Sequence, residues 1–503
     1  HLYNGYNARD DEDSDFNWKI LTDENYSNLS EILFKPEKDK LLYKCNIPIK
    51  DNKMLCLKDN SEIINNSIVE MKYNPDSEGD MRWTPLRVRS DKKFPNASKT
   101  ANNVWSTIVN PVKYEYITGS ENIYSIATPE EKQEMNIKKG YYIETDYENK
   151  DDEPLRKLHN YIKQKLITGV CSIGNKPISI LDTSMGRGGD IGKYLNSKNK
   201  INFLFGLDIS PDINEAAKRY YSEKKQKPKY SMFIQYDTSE SLKEGWGYEG
   251  TDDKIERNKI LLDILYDKNK KIPKEYEKIE KNYLGLANKG FDIISSQFSV
   301  HYYFKNEMTL RGYLQNLSDN CKKGGFFIGT CYDGMKVFNL LKENPLFEMN
   351  DEFDNKVFSI TKNYDIESFK YQSNNIKELF NQKIEVYMNS IGQTITEYLV
   401  NFDLFKEMMK EYRFKLVTPE LKGNNSGIFN KEKYYDEPGL GSFDKIIDGL
   451  QSLSGKDVLI KDINKELNTR KGPYCEALKI NMLKNEKLKK LSSLNNWFIF
   501  QKF

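Results

Sequence analysis

Residues 178–190 read Ile-Ser-Ile-Leu-Asp-Thr-Ser-Met-Gly-Arg-Gly-Gly-Asp, and Phe205-Gly206-Leu207-Asp208 follows. An apolar strand runs into a glycine turn, a helix begins, and a second strand ends in an acid. No other segment constrains the fold so tightly. Glycines let a backbone approach a ligand closely, and an acid at the next strand end accepts from ribose hydroxyls, so the pattern describes a nucleoside site on a parallel sheet. The spacing is not the dinucleotide G-x-G-x-x-G. The turn opens on Asp182 and closes on Gly186, Gly188, Gly189 and Asp190. An α/β turn that binds nothing is the alternative this segment leaves open.

An anionic turn suits a ligand with a positive charge and no phosphates, such as S-adenosylmethionine (SAM), better than NAD. SAM carries a sulfonium, an amino-acid tail, a ribose and an adenine. Asp182 and Asp190 flank the turn and could hold the cationic end, and Asp208 could accept the ribose hydroxyls. Asp237, in Gln235-Tyr236-Asp237-Thr238, follows a third strand and could meet the adenine amino group; Gln297 closes a fourth. A single aspartate is more often a cap or a surface residue. A set at successive strand ends falls where an open α/β sheet binds its ligands.

Two further segments narrow the chemistry. Phe291 to Ser296 is apolar and strand-like, and Gln297-Phe298-Ser299-Val300-His301-Tyr302 follows it. Lys322-Lys323-Gly324-Gly325-Phe326-Phe327-Ile328-Gly329-Thr330 reads as a turn plus strand. With these in order, the chain from about Leu155 to Phe503 resembles the messenger-RNA cap guanine-N7 methyltransferases. That family carries an Asp-x-Gly-x-Gly-Lys-Gly-Gly-Asp turn, a Gln-Phe-x-x-His-Tyr segment and a Gly-Gly-x-Phe-x-Gly-Thr strand. The resemblance implies a SAM-dependent enzyme with a doubly wound, mostly parallel α/β sheet, acting on 5′-capped RNA.

Residue by residue, the resemblance implies that His301, Tyr302 and Glu397 line the guanine pocket, Glu397 lying in Thr396-Glu397-Tyr398-Leu399-Val400. A carboxylate can accept from guanine N1 and N2 and favours the methylated cation, and His301 could reach O6. Arg187 stands for the family's turn lysine and Arg219 matches an arginine in its next helix; both could hold cap phosphates. Asn160 and Lys163 match a helix before the turn, Asn160 on the cap side and Lys163 on the cofactor side. A packed core histidine for His301, a surface acid for Glu397 and a plain amphipathic helix around Asn160 remain the alternatives. Guanine N7 has a free lone pair, so no residue is expected to act as catalytic acid or base, and no metal is expected. Ser184 stands where the family has its first glycine, which suggests a tighter backbone. The tyrosine that cellular members carry near the C-terminus aligns with Asn495, so either Trp497 supplies that aromatic surface or the pocket differs.

Length and charge fit this picture. At 503 residues, about three domains are expected. With 77 Lys+Arg against 75 Asp+Glu the net charge is +2, so any RNA contact must come from a local patch. No apolar run approaches the ~20 residues that span a bilayer, and no signal-peptide core opens the chain. Six cysteines without a C-x-x-C pair point to reduced thiols rather than a zinc site. A cytoplasmic setting and no membrane partner are expected.

The chain divides into three expected regions. Residues 1–118 open with a polar lead-in, then carry short strands: Lys40–Cys45, Lys53–Leu57, Ser67–Tyr73 and Trp83–Arg89. That spacing suggests a small antiparallel barrel. Trp83-Thr84-Pro85-Leu86-Arg87-Val88-Arg89-Ser90-Asp91-Lys92 resembles the last motif of the OB-fold domain in capping guanylyltransferases, which meets nucleotide phosphates. Arg87, Arg89, Asp91 and Lys92 would then form a phosphate motif, with a salt-laced edge strand as the alternative. The nucleophilic Lys-x-Asp-Gly is not found, so guanylyltransferase activity is not expected from this chain. The architecture resembles the C-terminal part of the multifunctional capping enzyme of large DNA viruses, with a guanylyltransferase and a triphosphatase upstream or an RNA polymerase as possible partners. Residues 119–150 read as a linker and 151–503 as the methyltransferase. Within it, 239–289 reads as a solvated surface insertion and about 341–385 as a polar interruption. A non-catalytic cap- or RNA-binding module is the alternative function, motivated by Ser184 and Asn495.

Overall fold

The computed structural model describes residues 1–6, 16–22, 31–36, 42–47, 49–77, 81–109, 153–174, 176–223, 228–268, 270–351, 353–419, 434–451 and 485–503. The expected linker at 119–150 lies outside them. The chain divides into two units, His1–Lys138 and Lys139–Phe503.

In the first unit the strands are β1 (Tyr3–Gly5), β2 (Glu31–Leu33), β3 (Ile49–Lys50), β4 (Lys53–Met54), β5 (Val69–Tyr73) and β6 (Trp83–Val88). They pair antiparallel as β1–β2, β3–β4 and β5–β6. Among the described residues these are three separate two-stranded ladders, stitched by single bonds such as Lys58 N to Leu86 O. The expected strand at Lys40–Cys45 does not form over its described part, where Leu42 and Tyr43 sit in a turn. Leu42 is instead a core residue, packed with Phe34, Trp83 and Trp105. The Trp83 indole donates to Leu42 O at 2.7 Å, so this stretch spends a carbonyl on a side chain.

The second unit is built on an eight-stranded sheet. Its parallel part comprises β7 (Ile178–Asp182), β8 (Ile201–Asp208), β9 (Tyr230–Gln235), β10 (Phe291–Gln297) and β11 (Cys321–Tyr332). A separate four-stranded antiparallel sheet follows: β12 (Leu346–Asn350), β13 (Lys356–Asn363), β14 (Lys383–Met388) and β15 (Gln393–Tyr398). The chain then returns to the first sheet with β16 (Phe414–Leu416), β17 (Leu440–Ser442) and β18 (Asn495–Lys502). The order is β16-β18-β11-β10-β7-β8-β9, with β17 pairing on β18, and β18 runs antiparallel to β11. Strand order reverses between β7 and β10, and open α/β sheets bind ligands outside the carboxyl ends of the strands at such a point. The doubly wound, mostly parallel sheet expected from the sequence is what the chain forms.

The helix Glu153–Val170 precedes β7 and buries Leu155, Leu158, Ile162 and Leu166, the apolar stripe seen in the sequence. Two expectations are corrected. Residues 239–289 are not a solvated insertion: the helix Asp252–Leu265 buries Leu261, Leu262, Ile264 and Leu265, and Tyr276 and Ile279 are buried after it. This segment is the crossover between edge strand β9 and central strand β10, so its apolar run has a sheet to cover. The polar interruption near 341–385 forms most of the four-stranded sheet, with Val357, Phe358, Ile360, Ile384 and Val386 buried.

Candidate functional site

The glycine turn after β7 is set by two left-handed glycines. Gly186 has φ +53° and Gly188 φ +75°, a region that other residues enter only with strain. A Cβ on Gly188 would lie 2.6 Å from Ile191 Cδ1 and 3.0 Å from Ala216 Cα, so this glycine seats one helix against another. A Cβ on Gly186 would meet nothing within 4 Å, which leaves open space on that side of the turn. Ser184 is not in the left-handed region, so serine replaces glycine there without backbone cost, and the expected tightening has no basis. Its hydroxyl lies 2.6 Å from Ser299 Oγ, joining the turn to the segment after β10.

The acids at the strand ends fall into different surroundings. Asp208, at the end of β8, accepts from Gly186 N at 2.7 Å and Ser210 N at 2.8 Å, and burial pushes its carboxyl up to about 6. Asp182 is deeper, with Tyr194 Oη at 2.7 Å and Ser184 N at 3.1 Å on its two oxygens, and burial pushes it up to about 7. It braces the turn from below. For Asp190, burial acts upward, but the ammonium groups of Lys163 (2.9 Å) and Lys193 (2.6 Å) outweigh it and hold the carboxyl below the usual range. Asp237 caps its own loop through Ser239 N and Oγ. The Gln297 amide is held between Ser295 Oγ and Thr330 Oγ1.

Around the turn the sequence brings together four cations. Lys163 and Lys193 sit on Asp190, Arg187 Nε donates to Asp212 at 3.1 Å, and exposed Arg219 projects from the helix Ile213–Ser222 to within 3.9 Å of where a Gly189 Cβ would stand. Exposed Asn160 accepts from Lys193 Nζ at 3.1 Å. Lys193 had not been singled out in the sequence. Its place one helical turn after Asp190 was the available signal, since residues three apart are neighbours on a helix.

The segment after β10 is the most strained part of the site. Phe298 has φ +55°, a costly conformation for a bulky side chain. Its ring stacks on His159 at 5.3 Å and 21°, with Lys163 Nζ 5.7 Å from the centroid. His159 Nε2 lies 3.1 Å from Ser492 Oγ, and burial, with Lys163 nearby, pushes its imidazole down to about 3. Neither the strained backbone of Phe298 nor a neutral stacking role for His159 leaves a trace in sequence spacing.

His301 and Glu397 meet although 96 residues separate them in the numbering. His301 sits in the short 3-10 helix Val300–Lys305 after β10, and Glu397 near the end of β15. Both are buried, at 3% and 5% exposure, so Glu397 is not a surface acid. Nε2 and Oε1 are 3.5 Å apart. The distance fits an ion pair, but burial pushes the imidazole down to about 3 and the carboxyl up to about 8. At neutral pH the contact is therefore a carboxylic acid beside a neutral imidazole. Both His301 nitrogens and Glu397 Oε2 lack hydrogen-bond partners among the described residues. Buried polar atoms left this way cost about 1–3 kcal/mol each, and pairs of them commonly mark a ligand's place. Tyr302 is half-buried, its ring centroid 4.2 Å from that of His301. Trp497 is fully buried, edge-on to Tyr435 at 4.7 Å, and offers no aromatic surface.

In the first unit, Arg87 and Arg89 do share a face, since both reach Glu70, at 2.7 and 3.8 Å. Arg89 also forks onto Asp91 at 2.8 and 2.7 Å, and Asp91 falls to about 2 under that guanidinium. Lys92 donates to Asn96. All four residues thus have partners within the unit.

Comparison with known proteins adds three facts. The family profile described as "mRNA (guanine-N(7))-methyltransferase domain" matches residues 132–265 and 267–462, and "mRNA capping enzyme, C-terminal domain" matches residues 10–118. A probable mRNA-capping enzyme of Acanthamoeba polyphaga mimivirus is 26% identical over 486 residues, covering 91% of this chain and 38% of that protein. The mRNA cap guanine-N(7) methyltransferases of Meyerozyma guilliermondii (27% identical, 66% of this chain and 55% of that one) and Saccharomyces cerevisiae (26%, 52% and 51%) are also similar to it. The chain thus spans 38% to 55% of the length of these relatives.

Proposed function

Because this chain belongs to the mRNA (guanine-N(7))-methyltransferase family, we propose that it methylates guanine N7 of a 5′-capped RNA with SAM as donor. The observation that carries this reading is the buried, unsatisfied pair Glu397–His301. It offers hydrogen bonds to a base edge and to nothing else among the described residues.

SAM supplies an electrophilic methyl group on a sulfonium. The residues fit it: Asp208 stands where ribose hydroxyls need an acceptor, Gly186 leaves space for the ligand, and Asp190 and Lys163 sit where the amino-acid tail would need opposite charges. The protein's own task is placement. Guanine N7 needs no base, so holding it in line and dry supplies the catalysis, an effect worth roughly 7–11 kcal/mol in well-oriented systems. Glu397 accepts from guanine N1–H, and a neutral His301 donates to O6. As the purine gains positive charge, the ionised form of Glu397 is favoured. Arg187, Arg219 and Asn160, gathered around the glycine turn, would hold the cap phosphates.

The match at residues 10–118 supports a setting as the C-terminal part of a multifunctional capping enzyme, where an upstream guanylyltransferase and triphosphatase, or an RNA polymerase, delivers the 5′ end. The phosphate role of Arg87, Arg89, Asp91 and Lys92 belongs to the same proposal. So does a cytoplasmic location, for which the likeness to the viral capping enzyme is the support. Among the described residues no helix is long and apolar enough to cross a membrane.

Calorimetry with SAM and transfer of labelled methyl to GpppG-capped RNA test the reading. Micromolar SAM binding and turnover on the capped RNA are expected. Retained capped-RNA binding without SAM binding would favour a non-catalytic module.

A further inference from the structure

β18 begins with two asparagines in an otherwise apolar strand, Asn495-Asn496-Trp497-Phe498-Ile499-Phe500. Since β18 is antiparallel to β11, they lie at the carboxyl end of β11, opposite Tyr332 and Cys331. Both are buried, and each has an Oδ1 with no partner among the described residues. Neither amide can turn over to relieve this. Asn496 Nδ2 donates to Asp333 Oδ2 at 2.9 Å, and Asn495 Nδ2 donates to the carbonyls of Leu491 and Ser492. Flipping either would set an oxygen against an acceptor.

Neighbouring residues of a strand point to opposite faces, so only one of the two can face Glu397. The surroundings favour Asn496: it pairs with Cys331, whose thiol burial pushes up with the Asp333 and Glu397 carboxyls nearby. Asp333, which fixes its amide, is followed by Gly334, whose N donates to Val400 O at 2.9 Å, three residues beyond Glu397. The Asn495 amide instead turns toward the helix Glu486–Ser493.

We propose that Asn496 is a second guanine-reading residue, its fixed Oδ1 accepting from the exocyclic 2-amino group beside Glu397. The proposal rests on the cap-guanine reading above. Guanine's edge presents two kinds of donor, N1–H and the 2-amino group, and one acceptor, O6. Glu397 and Asn496 supply two acceptors and His301 a donor. Adenine has no 2-amino group and would leave the Asn496 oxygen unpaired, and sites built on buried acceptors reject such analogues strongly.

The test compares RNAs capped with GpppG and with IpppG, since inosine lacks only the 2-amino group. Wild-type protein should favour guanosine in kcat/KM by about tenfold or more. Asn496→Leu and Asn496→Ala should bring that ratio close to one while SAM affinity stays within about twofold of wild type. The ratio is taken within one preparation, so partial loss of folding lowers both rates and leaves it unchanged. An unchanged preference in both variants, or a wild-type ratio near one, overturns the role of Asn496 and leaves the N7 reading standing. If wild-type protein methylates neither cap, the N7 reading falls and this proposal with it.

Discussion

Two acids separate the site into halves at the scale of single residues. Glu397 is buried beside His301, whereas Asp208 holds the glycine turn through Gly186 N. Glu397→Ala should leave SAM affinity nearly intact and cost about 1.5–3 kcal/mol in kcat/KM, or about ten- to a hundredfold. Asp208→Ala should weaken SAM while capped RNA still binds. Titrations of both variants with SAM and a cap analogue decide it, and equal loss of SAM affinity would remove the division. Much at this scale was visible in the sequence, because motif residues such as Asp208, His301 and Glu397 sit at fixed offsets from strand ends. What stayed hidden depended on distant partners. The stack of His159 on Phe298 and the fixed amide of Asn496 need neighbours 139 and 163 positions away.

At the level of elements, the glycine turn makes two of its positions separable. Gly188→Ala forces a Cβ against Ile191 and Ala216 at φ +75°, so a loss of stability of about 1–3 kcal/mol is expected, read as a lower melting temperature. Gly186→Ala adds a methyl to open space on the ligand side. It should cost no more than about 1–2 kcal/mol in folding but reduce SAM affinity by tenfold or more. Comparable SAM affinity in wild type and Gly186→Ala would mean that the ligand does not approach this turn. The alternation of strands and helices was legible because both periods were clean. The crossover at 239–289 was not, since its Lys- and Glu-rich surface masks the buried Leu261-Leu262 and Ile264-Leu265. The four-stranded sheet was missed in part because β14 buries only Ile384 and Val386, with Lys383 and Glu385 set beside them.

Across the whole molecule, buried carboxyls shape the response to pH. Folding raises Glu397 to about 8 and Asp182 to about 7, above the ordinary 4.5 and 3.8. A raised carboxyl binds its proton more tightly when folded, so its contribution is complete below the unfolded value and is lost as pH rises through the folded one. His159 and His301, held down to about 3, act oppositely, but only below their unfolded value of 6.5. Between pH 6.5 and 8 the ligand-free protein should therefore lose stability as pH rises, by up to about 1.4 kcal/mol per pH unit from one such group. Glu397→Gln should flatten the upper part of that slope in melting curves, and a slope identical to wild type would contradict a buried, protonated Glu397. In the first unit, apart from the one at Lys40–Cys45, the expected small antiparallel strands form, and among the described residues they pair two by two, with Phe34, Trp83 and Trp105 in the core. Short strands at regular spacing give strand identity but not partner or order, which long-range packing decides.

The position that receives the methyl group is the most direct measure of what this protein does. GpppG-capped RNA incubated with the protein and SAM bearing a 13C methyl should yield label on guanine N7 alone, seen by NMR of the released cap dinucleotide and by the positive charge it confers. Label on a ribose 2′-oxygen, or at another ring position, would contradict the account.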